Sequence, residues 1–192
     1  NAWPVDKVSR IDRQLVFVKP DLVVVYDRVT LGPAGRETKW IAATGAGLTI
    51  DGDRFRVQSG SEFLAGRVLL PERPMLSAPE TPVVGYNWKG QQQLWVAPAQ
   101  PAGSVEYLVV MRAGGGDTPL PEMSLLHDDE NAGVRIARPG GPVALRFNRR
   151  GPVGGMATTS AAGKSRRYDL REAIVDSYRN WDADPRYQQW VS

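Results

Sequence analysis

Residue types that could do chemistry are scarce. The 192 residues include one histidine, His127, and no cysteine. Thiol catalysis, disulfides and thiolate metal sites are therefore excluded. With no second histidine to form a His-x-x-x-His pair, a zinc centre built by this chain alone is not expected. A Ser-His-Asp arrangement would have to use His127, which sits in the polar, turn-like stretch SLLHDDEN, and no Gly-x-Ser-x-Gly elbow accompanies it. His127 reads as an exposed loop histidine, and any step that needs a histidine must borrow one from elsewhere. The glycines of RAGGGDTPLPEM suggest a phosphate cradle, but the Gly-Lys-Ser/Thr ending and a following helix pattern are missing, so this stretch reads as a flexible loop. No catalytic residue, metal ligand or cofactor is assigned.

Binding chemistry has more to work with. Twenty-four basic and 21 acidic residues give a net charge of +3, too weak a bias to argue for nucleic acid without a concentrated patch. Nineteen of the basic residues are Arg and five are Lys. That split reflects either the base composition of the gene or a use for planar forks, which suit carboxylates and sulfates on an acidic glycan. Arg54, Arg56, Arg146 and Arg150 fall on solvent-facing strand positions, with Arg149 at a strand end. If their two strands are neighbours they form one basic patch; otherwise each is a solvated sheet face. Lys164, Arg166 and Arg167 form a second cluster that reads as a solvated linker. Among the tryptophans, Trp88 in YNWKG is the best placed to stack on a sugar, whereas Trp40 and Trp95 sit in strand patterns and read as core. Asp27 and Arg28 end a valine-rich strand and read as a pair or turn cap at the sheet rim.

The elements that must position these residues are strands. Hydrophobic residues make up 42% and charged residues 23%, as in ordinary soluble domains. The apolar runs, Val23 to Tyr26 among them, are far below the ~20 residues of a membrane helix. No signal-peptide pattern is present, and Asn1 in place of an initiator Met suggests a piece of a longer protein. Period-two alternation dominates. In RIDRQLVFV, Ile11, Leu15 and Phe17 share one face while Arg10, Asp12 and Gln14 share the other. LVVVYDRVTL is apolar on both faces in its first half, which suits a central strand. TIDGDRFRV reads as a hairpin turning at Asp51-Gly52. EFLAGRVLLP, QLWVAPA, VEYLVVMRA, GVRIARP and VALRFNRR continue the style, while the proline-rich 71–82 stretch and the soft stretch RRGPVGGMATTSAAGKSRR read as connections. In DLREAIVDSYRNW, Asp169 and Glu172 have capping-box spacing, and Leu170, Ile174, Tyr178 and Trp181 make one helical stripe. The expectation is an all-β protein: an antiparallel β-sandwich over 1–163 with one short C-terminal helix in a tail over 164–192.

Three stretches resemble a known family. RIDRQLVFVKPDLVVVYDRVTL, KWIAATGAGLTIDGDRFRVQSGSEFLAGRVLLPE and EYLVVMRAGGG are similar, in order and spacing, to successive strands in the C-terminal β-sandwich region of heparinase II/III-like polysaccharide lyases. The similarity covers roughly residues 5 to 115. It implies an accessory sandwich packed on an α/α toroid of the same parent, in an enzyme that cleaves acidic, uronate-containing polysaccharides by β-elimination in the periplasm or outside the cell. The His-rich segment that such sandwiches contribute lies upstream of the matched region, so no catalytic or metal residue is carried over. The resemblance thus implies an uncleaving chain that supports an acidic-glycan groove. Read from their own positions, Arg54, Arg56, Trp88, Arg146, Arg149 and Arg150 are the candidate substrate contacts, and charge and apolar content lead us to expect neither nucleic acid nor membrane as partner. The alternative is a free-standing carbohydrate-binding or cell-surface interaction module. A lyase piece should carry an apolar face that wants a partner; a binding module should be closed and polar apart from an aromatic platform.

Overall fold

The computed structural model describes residues 6–33, 37–44, 47–79, 92–116, 118–161 and 163–171. Fourteen strands run through them, and every strand pairing is antiparallel. The chain divides into two compact units, Asn1–Leu120 and Pro121–Ser192.

In the first unit, β1 (Val8–Val18), β2 (Leu22–Leu31), β4 (Leu48–Asp51), β5 (Arg54–Ser59), β6 (Glu62–Leu70) and β9 (Ser104–Gly115) form a six-stranded sheet in the order β1-β2-β9-β6-β5-β4. The strands β3 (Trp40–Thr44), β7 (Met75–Ser77) and β8 (Gln92–Ala97) form a second sheet, β3-β8-β7. One buried cluster joins the two sheets: Val29, Phe55, Val68, Val105, Tyr107 and Val109 from the first, with Trp40, Leu94 and Val96 from the second. Burying the apolar faces of two sheets against each other is what makes a sandwich. The valine strand β2 lies inside its sheet, between β1 and β9. It is buried on both faces, with Val24 and Tyr26 at 0% on one and Val25 and Val29 on the other.

Strand β1 is the exception. Ile11, Leu15 and Phe17, which share one face by alternation, are 47, 62 and 53% exposed, whereas Gln14 on the other face is buried. Register explains the polar side: Gln14 sits opposite Tyr26 and Val16 opposite Val24, on a face buried along β2 and β9. On the other side, the three-stranded sheet spans two strand spacings, about 10 Å, against about 24 Å for six strands. Its cover is partial: Val8, at the start of β1, packs against the joining cluster, whereas Ile11, Leu15 and Phe17 stay exposed.

Two cross-strand rungs tie β1 to β2. Arg13 lies opposite Asp27 and Asp12 opposite Arg28, so the same two adjacent positions carry opposite charges on opposite faces. Arg13 grips Asp27 with both arms of its fork (Nε to Oδ1 2.8 Å, Nη2 to Oδ2 2.7 Å), and Arg28 Nη2 reaches Asp12 Oδ2 at 2.8 Å. Asp27 and Arg28 are therefore mid-strand residues, since β2 continues to Leu31, and do not cap the sheet rim.

The second unit is a meander of β10 (Met123–His127), β11 (Asn131–Ile136), β12 (Val143–Asn148), β13 (Gly155–Ala161) and β14 (Lys164–Asp169), paired in chain order. Ala132, Val134, Ile136, Val143, Leu145, Phe147 and Ala157 are buried on one face. The soft stretch read as a connection is the β13–β14 hairpin. Its Ser, Thr, Ala and Lys residues lack the apolar alternation of a strand, and the pairing comes instead from the tight turn, where Gly163 takes φ 75°. The 163/164 boundary expected between sandwich and tail thus falls inside a hairpin. Asp169 Oδ1 accepts the Arg171 N–H at 2.8 Å, as an N-cap does two residues on; the helix expected beyond Arg171 lies outside the described residues.

Three local expectations shift. The β4–β5 hairpin turns at Gly52-Asp53, because Asp51 already pairs with Arg54, and Gly52 alone takes positive φ (57°). The 71–82 connection contains the short strand β7. The glycine loop begins as strand, with Gly114 and Gly115 still paired to Phe63 and Glu62.

Candidate anion-binding groove

Arg54 and Arg56 alternate with buried Phe55 along β5, so both project from the same face of the ribbon. The register places Asp51 beside Arg54, Thr49 and Ala65 beside Arg56. These residues, with Thr118, Pro119 and Leu120, line a shallow groove of about 250 Å³ in the first unit. Its far wall is held by Arg112, which donates to Asp21 Oδ2 at 2.7 Å and to the Pro119 carbonyl at 2.6 Å.

The two arginines are positioned differently. Arg56 donates to the Gly116 carbonyl (3.0 Å) and to Gln58 Oε1 (3.2 Å), and its guanidinium lies 4.0 Å over the Phe63 ring. Stacking and two acceptors fix it in place. Arg54 is 57% exposed, and its Nε stands 3.9 Å from Asp53 Oδ1, a carboxylate that Arg67 holds at 2.8 Å. One immobile and one loosely held fork above a floor of Ala65 can take a carboxylate or sulfate. Proton transfer would need a poised acid or base, and the groove offers only threonines and Asp51.

The other candidates lie elsewhere. Arg146 is on β12, in the second unit, so the strands carrying Arg54/Arg56 and Arg146 belong to different sheets and are not paired neighbours. Arg146 and Arg149 are brought together at the β10–β11 turn. Arg146 Nη1 contacts Asp128 Oδ2 at 3.1 Å, and Arg149 Nη1 donates to the Asp128 carbonyl at 2.6 Å. Arg150 is exposed just past the end of β12. Trp88 lies outside the described residues. Trp40 is core, as expected; Trp95 is half-buried, donating to Gln93 Oε1 at 2.9 Å beneath Lys39 Nζ at 4.7 Å. His127 is the exposed last residue of β10. Sequence reading missed the wall formed by Arg112 and residues 118–120. No local signal marks it, because Arg56 and Gly116 are sixty positions apart.

The Asp128 turn makes a pH prediction. Hydrogen bonds from the backbone N–H of Asn131 (2.7 Å) and of Glu130 (3.0 Å), then the charge of Arg146, hold its carboxyl below the usual 3.8. A carboxylate whose folded pKa is depressed stabilises the turn above pH 3.8 and ceases to do so as pH falls through the lower folded value. Carboxyl-carbon NMR should give Asp128 a midpoint below 3.8 in the native chain and a higher one in Arg146→Ala combined with Asn131→Pro, where only the Glu130 N–H remains to lower it. An ordinary midpoint in the native chain would remove the turn from the account.

The groove and the sandwich define an antiparallel β-protein with a small cationic recess and no resident acid–base pair in it. No family model and no curated protein sequence matches the chain. Among solved structures it is similar to a mutant of the heparan sulfate lyase HepC from Pedobacter heparinus, at a TM-score of 0.49 and 16% identity, over 86% of this chain. The chain spans 26% of that enzyme's length.

Proposed function

We propose that this chain is the accessory β-sandwich region of a heparinase II/III-like polysaccharide lyase. In this reading it buttresses the α/α toroid of its parent and lends the Arg54/Arg56 groove to an acidic glycan, in the periplasm or outside the cell. The observation that carries the reading is the stripe of Ile11, Leu15 and Phe17, three large apolar side chains left in water on one strand. Exposed apolar surface of this kind is removed from solvent by a partner. The stripe lies inside the stretch whose strand pattern resembles those lyases, which also supports the reading.

The second reading, a free-standing carbohydrate-binding module, is favoured by the groove itself, whose fixed Arg56 is prepared for an anion without any neighbouring domain. One experiment separates the two. The chain and its full-length parent are incubated separately with heparan sulfate and alginate, and unsaturated uronate is followed by ultraviolet absorbance. Absorbance is expected to rise with the parent and stay flat with the chain. No rise with either polymer would sink the lyase reading for these substrates and leave the module. A rise with the chain alone would place the chemistry here and overturn both.

A further inference from the structure

We infer that the solvent face of the second unit's sheet is a second glycan-holding surface, a lane for a sparsely charged acidic polysaccharide anchored at Arg135 and Arg167. The inference does not depend on the lyase reading, because a chain can be held here whether or not the parent cleaves it.

Register sets out the surface. Ser124, Arg135, Ala144, Thr158 and Arg167 are directly opposite one another across β10 to β14 and form one continuous row. The next row on that face is Leu126, Gly133, Arg146, Met156 and Asp169. The middle of the face is low, because Gly133 and Ala144 put almost nothing above the sheet. Gly133 cannot change: a Cβ there would stand 1.9 Å from the Leu145 carbonyl oxygen. Arg135 and Arg167 rise from the two sides of this low ground, three strand spacings or about 14 Å apart. Both are exposed, and neither forms an ion pair with a described residue.

At the β10 side the row opens into a pocket of about 450 Å³ lined by Glu122, Ser124, Arg135, Arg138 and Pro142 among others. The turn that walls it is fixed. The Gly141 N–H donates to the Arg138 carbonyl at 3.1 Å, and the positive φ of Gly140 (90°) and Gly141 (123°) shapes the bend. Arg135, exposed at the mouth of this recess, presents a fork that suits a carboxylate or sulfate. The hydroxyl of Thr158 between the two arginines, and that of Ser124 beyond Arg135, suit a sugar's own hydroxyls.

Charge density chooses the occupant. Duplex DNA carries roughly one charge per 1.7 Å, and single strands bind by stacking bases on aromatic rings. The two rows hold no aromatic side chain on which a base could stack, and the forks of Arg135 and Arg167 stand about 14 Å apart. That spacing matches a chain whose anionic groups are set apart along hydroxyl-bearing rings.

The test uses the whole 192-residue chain with fluorescent low-sulfation heparan sulfate and alginate oligosaccharides and a single-stranded DNA oligomer. Arg135→Ala/Arg167→Ala should weaken binding at least tenfold to the oligosaccharide the native chain prefers, with an unchanged melting temperature, since both side chains are exposed. Binding to heparan sulfate without alginate would mark sulfate as the recognised group, and binding to both would mark the carboxylate they share. The inference is overturned if the native chain binds neither oligosaccharide, if the double variant binds as tightly as the native chain, or if DNA binds more tightly than both sugars. Loss on Arg54→Ala with no loss on the double variant would move binding to the first unit's groove and also overturn it. A flat parent in the lyase assay leaves these outcomes unaffected.

Discussion

Phe55→Ala should lower the stability of the first unit by about 3–5 kcal/mol, the range for removing a buried aromatic ring. Phe55 is 4% exposed in the cluster that joins the two sheets. It also does a second job, lying across Gly66, its directly paired neighbour on β6. A Cβ on Gly66 would stand 2.1 Å from Phe55 Cζ and 2.4 Å from Cε1, so Gly66→Ala must push the ring out of the core. Gly66→Ala alone should therefore be nearly as damaging as Phe55→Ala. In the Phe55→Ala background the same change should be neutral or slightly stabilising, because alanine is intrinsically better than glycine in a strand by roughly 0.5–1 kcal/mol. Denaturant unfolding of the four proteins in this cycle measures the coupling. Additive effects would show that the ring and the glycine do not share one space.

Arg13→Ala is the second large effect, and the less obvious one, because Arg13 is itself 57% exposed and looks like a dispensable surface residue. Its partner Asp27 has only 3% of its side chain exposed. Removing the fork strands a carboxylate inside the sheet, where an unpaired charge is costly. We expect a loss of about 2–3 kcal/mol, below the value for a wholly buried pair because Arg13 is partly screened by solvent. Adding Asp27→Asn to Arg13→Ala should restore part of that loss, since an amide is cheaper to bury than a charge. If Asp27→Asn makes Arg13→Ala worse instead, Asp27 is stabilised by something other than its arginine. The same unfolding measurement decides.

Most strands of this chain could be read from alternation, bounded by glycine, proline and aspartate. The misreadings have physical causes. Alternation divides β1 into two faces and cannot say which is covered, because cover depends on what packs against the sheet; the apolar face of Ile11, Leu15 and Phe17 is the exposed one. The β13–β14 hairpin escaped because Thr158, Thr159, Ser160 and Ser165 form a ladder with little apolar content, held by backbone pairing and a glycine turn. Pairing Arg54 and Arg56 with Arg146 needed sheet order, which strand patterns ninety residues apart do not contain. The groove was half legible: the two arginines followed from the hairpin, while the wall held by Arg112 depends on a contact that only the fold creates.

The reciprocal rungs of β1 and β2 also bear on which structures the chain avoids. Three consecutive valines, Val23 to Val25, would accept a partner strand almost equally well if it slid by two residues, since both faces keep their character. The charges do not accept it. Sliding one way sets Asp27 against Leu15 and Arg28 against Gln14; sliding the other way sets Asp27 against Ile11 and Arg28 against Arg10. Each wrong alignment leaves a charge facing apolar surface or its own sign, while the native one satisfies both pairs at once. Four neighbouring residues thus work as a key cut for one lock, discarding near-miss alignments of a hydrophobic strand during assembly, before the core has closed around them.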